Sequence, residues 1–198
     1  HERLVGSEMC IRDRYYIFTM RKNAAGENQV YYSIYDRKLN GGKGGVSIKN
    51  QFLSPAPSAE RFGVAVSGGD YYWLQTQDAD STILRTFKVS KAGIAAPIES
   101  VAKSSVQGPS ASSHFSRDGK VLAIAYVSPP SNQVDIYDFD VATGKTTFRY
   151  RISLANSPYG VEFSADGKIV YASTNVGPNA QIWPVSYTHL RAHETLMN

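Results

Sequence analysis

Short apolar stretches alternate with turn residues along the whole chain, and the spacing within each stretch is two rather than 3.6. In Thr147-Phe148-Arg149-Tyr150-Arg151-Ile152 the aromatic and aliphatic side chains share one face and the charges the other. That predicts a strand with one wet face. Ala123-Ile124-Ala125-Tyr126-Val127 is apolar nearly throughout, which predicts a strand covered on both faces. Further strands are expected over Tyr15–Met20, Val30–Tyr35, Phe62–Val66, Tyr71–Leu74, Ile83–Phe87 and Val134–Phe139. No stretch approaches the roughly 18 apolar residues of a membrane-spanning helix.

The pattern repeats. His114-Phe115-Ser116-Arg117-Asp118-Gly119-Lys120-Val121-Leu122 matches Glu162-Phe163-Ser164-Ala165-Asp166-Gly167-Lys168-Ile169-Val170 at an offset of 48 residues. Each copy continues into an apolar strand, a polar loop and a strand with an aromatic centre, at Val134–Phe139 and at Gln181-Ile182-Trp183. Weaker copies precede them, one turning at Gly68-Gly69-Asp70. A period in the forties with about four strands per unit is the blade repeat of a β-propeller. Asp-Gly is expected to form two-residue hairpins with both residues at positive φ, and a second turn recurs at Lys91-Ala92-Gly93 and Ala142-Thr143-Gly144. The expected fold is all-β: a partial propeller of three to four four-stranded antiparallel blades from a ring of seven, with open sheet faces at both ends.

The two ends change the composition that matters. Leu4–Asp13, and Val185–Thr195 in another frame, are the two orientations of one short oligonucleotide that resembles a transposase library adapter. Residues 1–14 and 185–198 are therefore set aside from fold reasoning, and residues 15–184 are taken as the propeller segment. Cys10, His1, His189 and His193 lie in the excluded ends, which leaves His114 as the sole histidine of the segment. Four basic and four acidic residues go with them, so the net charge stays at +4. The charge is scattered, with no basic run beyond Arg21-Lys22 or Arg37-Lys38, and no nucleic-acid partner is expected. Without cysteine there is no disulfide framework or thiolate metal site.

Tyr16-Ile17-Phe18-Thr19, Val30–Asp36, Leu39-Asn40-Gly41-Gly42-Lys43-Gly44-Gly45-Val46, Lys49-Asn50, Tyr71–Leu74, Ser116–Lys120, Tyr137–Asp140 and Pro158–Ser164 occur in one order. That order resembles the N-terminal propeller of large secreted Bacteroidetes proteins of the gliding-motility-associated, type IX secretion sorting-domain type. The resemblance implies export and an extracellular or cell-surface location.

Candidate chemistry is sparse. His114 sits where an inner strand begins to line the channel, and Glu162 occupies the matching position one repeat later; both are expected to face the channel. Asp78, Asp80 and Ser81 read as a solvated hairpin, since the loop is too short for an EF-hand. Asp118 and Asp166 sit in turns for backbone reasons. Asp135, Asp138 and Asp140 read as solvated, with Asp135 on the opposite face. Lys43 lies among glycines with no helix following, which excludes a phosphate-binding loop. No catalytic, cofactor or metal residue is assigned. The expected function is a non-catalytic secreted or cell-surface binding or scaffold module, taking a protein or glycan ligand and completed by further blades and C-terminal domains. The alternative is part of a lactonase- or dehydrogenase-like propeller enzyme with active-site residues partly in missing blades.

Overall fold

The computed structural model describes residues 9–11, 13–54, 56–66, 70–105, 112–128, 131–174 and 182–186. The rest of both excluded ends lies outside them, as do the turn residues Gly68-Gly69 and Pro129-Pro130 and the strand residue Gln181.

Four antiparallel sheets follow one another in chain order. The first is β1 (Met9–Ile11), β2 (Arg14–Lys22), β3 (Asn28–Asp36) and β4 (Gly45–Phe52). The second is β5 (Gly63–Val66), β6 (Tyr71–Gln77), β7 (Ile83–Ser90) and an outer edge split into β8 (Gly93–Ile94) and β9 (Ile98–Val101). The third is β10 (Ser113–Phe115), β11 (Val121–Ser128), β12 (Ser131–Phe139) and β13 (Thr146–Ser153). The fourth is β14 (Pro158–Phe163), β15 (Ile169–Thr174) and β16 (Ile182–Ser186). The split between β8 and β9 spans Pro97, whose nitrogen has no hydrogen to give the ladder.

The excluded ends contribute backbone to two sheets: β1 pairs Cys10 with Tyr15, and Ser186 of β16 pairs with Ile169. A sheet edge offers unpaired N–H and C=O groups to any extended segment that reaches it. Leu39–Gly42 is a single tight turn with Asn40 and Gly41 in the left-handed region. It leads into a strand, as the loop reading of the glycine cluster requires.

Each seam between sheets has its own core. Tyr16, Phe18 and Ile34 of the first sheet meet Leu74, Phe87 and Val89 of the second. Ala65, Trp73 and Leu84 meet Phe115, Leu122, Ile124, Tyr137 and Phe139. Val121, Ala123, Ala125 and Ile136 meet Val161, Phe163, Val170 and Ala172. Alternate residues of β11 thus serve opposite seams, which is why this strand is apolar throughout. Each fully buried Leu, Ile or Phe contributes about 1.5–3 kcal/mol. On β13, by contrast, Phe148 and Tyr150 are half-buried, and instead of sharing one face they serve different seams, Phe148 the one with the second sheet and Tyr150 the one with the fourth, across an irregularity in the pairing with β12. The inner strands gather: β10 contacts both β5 and β14, and a β-carbon on Gly63 would lie 3.0 Å from the Phe115 ring.

The Asp-Gly turns differ from the two-residue expectation. Gly119 donates its N–H to Ser116 O at 2.8 Å, and Gly119 alone is left-handed, at φ 70°. Asp118 instead works through its side chain, accepting from Ser116 Oγ at 2.6 Å and from Lys120 N at 3.1 Å. The turn at Ser164–Lys168 repeats this, with Gly167 at φ 68° and Ser164 Oγ 2.7 Å from Asp166. The longer turn wins because a carboxylate satisfies donors that a two-residue hairpin would leave over.

Candidate functional site

Short inner strands of successive sheets bring together the two residues expected at the channel. His114 is the centre of β10, and Glu162 is the penultimate residue of β14. The flanking side chains Ser113, Phe115, Val161 and Phe163 are buried, and alternation turns His114 and Glu162 to the opposite faces of their strands. His114 Nδ1 stands 3.0 Å from Glu162 Oε2, with side-chain exposures of 49% and 62%. The other carboxylate oxygen, Oε1, accepts the backbone N–H of Phe163 at 2.9 Å.

A second polar cluster lies inside the seam between the second and third sheets. Arg61, on the connection into β5, is buried and donates from Nη1 to Ala125 O at 3.0 Å and from Nη2 to Gln77 Oε1. Its guanidinium carbon lies 4.7 Å from the centre of the Tyr126 ring. The Tyr126 hydroxyl is 3.2 Å from Gln77 Oε1 and 3.3 Å from the Tyr137 hydroxyl, which donates to Asp135 Oδ2 at 3.3 Å. Asp135 is fully buried and is held by Arg151 through Nε at 2.7 Å and Nη2 at 2.9 Å. Ser104 Oγ donates to the same carboxylate at 3.2 Å. Burial pushes the Tyr126 and Tyr137 hydroxyls well above the ordinary phenol range. Burial also lowers Arg61, while the hydrogen bond to Asp135 raises Arg151.

Two expectations are corrected here. Asp135 is not solvated: its partners come from the next strand and from a connection 31 residues away in sequence. Asp78 is not solvated either; it is buried and takes the Arg85 guanidinium at 2.8 and 3.1 Å through Nε and at 2.8 Å through Nη2. Asp138, by contrast, is half-exposed and pairs with Arg149. Both buried acids stand in sequence beside side chains that the alternation turns the other way. An arginine on a neighbouring strand was the one available signal.

The tandem turns of the third and fourth sheets also enclose a cleft of about 480 Å³, lined by Arg117, Asp118, Asp166 and Lys168 among others. Its two aspartates are engaged by their own turns. Among the described residues no group of three His, Cys, Asp or Glu side chains could hold a metal ion. Among the same residues no helix is long and apolar enough to cross a membrane.

No known family profile matches this sequence. No curated protein matches it. Solved structures do. One from Bacteroides uniformis, provisionally assigned as a 6-phosphogluconolactonase, superposes with a TM-score of 0.59 at 13% identity, over 87% of this chain and 52% of that one. The chain has a β-propeller fold. A Bacteroides fragilis structure under the same provisional assignment gives 0.51 at 13% identity, over 92% of this chain and 57% of that one. The hydrazine synthase of Kuenenia stuttgartiensis gives 0.52 at 15% identity, over 86% and 43%. The chain thus spans about half the length of the structures it resembles. Likeness at such identities carries the architecture, with four sheets stacked about the axis, and leaves function to the site.

Proposed function

We propose that this propeller segment belongs to a non-catalytic binding or scaffold module of an exported protein, displayed at the cell surface or released from it. The observation that carries the reading is the use made of the buried charges. Asp78 with Arg85, Asp135 with Arg151, and Arg61 with Gln77 are all spent on locking strands and seams together. The result is a stiff frame that presents a small polar inner wall, His114 and Glu162, to a ligand. A glycan or a protein loop rich in hydroxyl and amide groups fits such a wall. The remaining blades of the ring and any sorting domain belong to the same proposal, on the strength of the resemblance in sequence order.

The test uses the product of the uninterrupted gene. Binding to an immobilised glycan panel, weakened at least tenfold by His114→Ala with Glu162→Gln, supports the reading. Protease accessibility on intact cells tests display. Binding unchanged by the double substitution removes the inner wall as the contact surface.

A second reading is a lactone-hydrolysing propeller. It is favoured by the His114–Glu162 contact, a half-exposed histidine and a carboxylate 3.0 Å apart, and by the provisional lactonase assignment of two structural neighbours. Turnover of 6-phosphogluconolactone that disappears in His114→Ala would favour it over the first.

A further inference from the structure

We infer that the cleft between the tandem Asp-Gly turns of the third and fourth sheets is a saccharide site. It takes a neutral, hydroxyl-rich ring, with Asp118 and Asp166 as acceptors and Arg117 and Lys168 as donors. The inference deepens the glycan part of the first reading and rests on it for the biological use, though not for binding itself.

The two turns are built alike and use only half of each carboxylate. Ser116 Oγ donates to Asp118 Oδ1 at 2.6 Å, and Lys120 N donates to the same oxygen at 3.1 Å. In the fourth sheet Ser164 Oγ donates to Asp166 Oδ1 at 2.7 Å, and Lys168 N donates to it at 3.2 Å. These bonds fix the position of each group. Among the described residues, Oδ2 of neither aspartate accepts a hydrogen bond; Lys168 Nζ stands 3.8 Å from Asp166 Oδ2, beyond hydrogen-bond reach. The serine hydrogen bonds also hold both carboxyls below their usual range. Each Oδ2 is therefore an ionised, fixed acceptor that the fold does not use. Arg117 lies on the same cleft and has no partner among the described residues.

Volume and charge decide the ligand class. The cleft holds about 480 Å³, within the roughly 300–1,000 Å³ of small-molecule sites. Its charged lining is two carboxylates and two cations, which sum to zero and favour neither an anion nor a cation. A divalent cation such as calcium would need about six to eight oxygen ligands, and Arg117 and Lys168 would repel it. A sugar hydroxyl both donates and accepts. It can give its proton to an aspartate Oδ2 while accepting from Arg117 or Lys168, and such charge-assisted bonds are stronger than neutral ones. Val121, which is 7% exposed, and Ala165 supply apolar surface for the C–H face of the ring.

The test is a 15N–1H chemical-shift titration of the 198-residue chain with the methyl glycosides of glucose, galactose and mannose, and with phosphate and galacturonate as charged comparators. Each is added to about 50 mM, a range that a few hydrogen bonds reach once the cost of association is met. Saturating shifts at the amides of residues 117–120 and 165–168 are expected with at least one neutral glycoside. Arg117→Ala removes a side chain that the fold does not use, and should weaken this binding about tenfold, the loss of a hydrogen bond to a charged group. Asp118→Asn keeps the oxygen that the turn needs and replaces the ionised Oδ2 with an amide nitrogen, so a similar loss is expected with the turn intact. Binding at the turns that survives both substitutions overturns the assigned donors and acceptors. Tighter binding of phosphate or galacturonate than of any neutral glycoside overturns the ligand class. Shifts confined to β10 and β14 overturn the cleft and leave the first reading in place. No shift in either turn overturns the inference and leaves the glycan reading to the immobilised panel.

Discussion

Gly144 joins the turn of one sheet to the core of its neighbour, and replacing it should break the seam. The residue closes the turn after β12, donating its N–H to Asp140 O at 2.7 Å with φ at 76°. A β-carbon there would lie 2.7 and 2.8 Å from the Trp73 ring and 3.0 Å from Ile98. The ring has little room to retreat. It is 2% exposed, its Nε1–H donates to Val141 O at 3.0 Å, and Tyr71 and Phe139 meet it edge-on. Two costs therefore add in Gly144→Ala: about 1–2 kcal/mol for a side chain in the left-handed region and about 1–3 kcal/mol for overpacking. Gly26→Ala provides the control, since Gly26 also has positive φ, 81°, with nothing within 4 Å of its added carbon. It should lose only the first amount. Urea denaturation followed by tryptophan fluorescence gives both values, and the difference is expected at about 1–3 kcal/mol. Equal losses in the two variants would refute the claim that Trp73 and the turn are in contact across a seam.

Removing Arg151 with Arg151→Ala strands the fully buried Asp135 without its counter-charge. A loss of about 3 kcal/mol is expected, the low end for a buried pair because Arg151 is itself 34% exposed. Arg149→Ala, whose partner Asp138 is 51% exposed, should cost at most about 1 kcal/mol, and the same urea experiment compares the two. The hydrogen bond from Ser116 holds the Asp118 carboxyl below its usual range. A depressed folded-state value means stability that is present above the ordinary carboxylate range and lost as pH falls through the folded value. The urea midpoint should drop below about pH 4, and more shallowly in Asp118→Asn. Tyr126 and Tyr137 are raised by burial, so their stabilisation holds below the ordinary phenol range and fades above it. Ultraviolet titration should show both hydroxyls ionising only as the protein unfolds.

Most of the fold was legible in the sequence because its information is local. A turn residue and a period-two alternation declare a strand wherever they occur, and the 48-residue offset between His114 and Glu162 placed both on inner strands. That these two side chains touch was not legible, because it depends on how far apart neighbouring sheets stand. The fate of Asp135 was misread for a related reason. Along the chain it looks like one more acid among polar residues, and only the pairing of β12 with β13 sets it opposite Arg151. Strand β4 also went unseen. Its exposed face and its polar Ser47, Lys49 and Asn50 follow a glycine cluster that read as loop, and two irregularities in its pairing with β3 blur the alternation. The Asp-Gly turns were located correctly but built differently, since Ser116 and Ser164 compete for the aspartates.

The central claim is that successive sheets stack side by side about a common axis with their first strands innermost. Nuclear Overhauser contacts in the 15–184 segment test it most directly, at two points far apart on the seam between the second and third sheets. The α-protons of Gly63 should show cross-peaks to the Phe115 ring, and those of Gly144 to the indole of Trp73, with ring-current shifts at Gly144. If both sets are missing while β5 and β10 exchange backbone contacts as neighbours in one continuous sheet, the stacked arrangement is wrong.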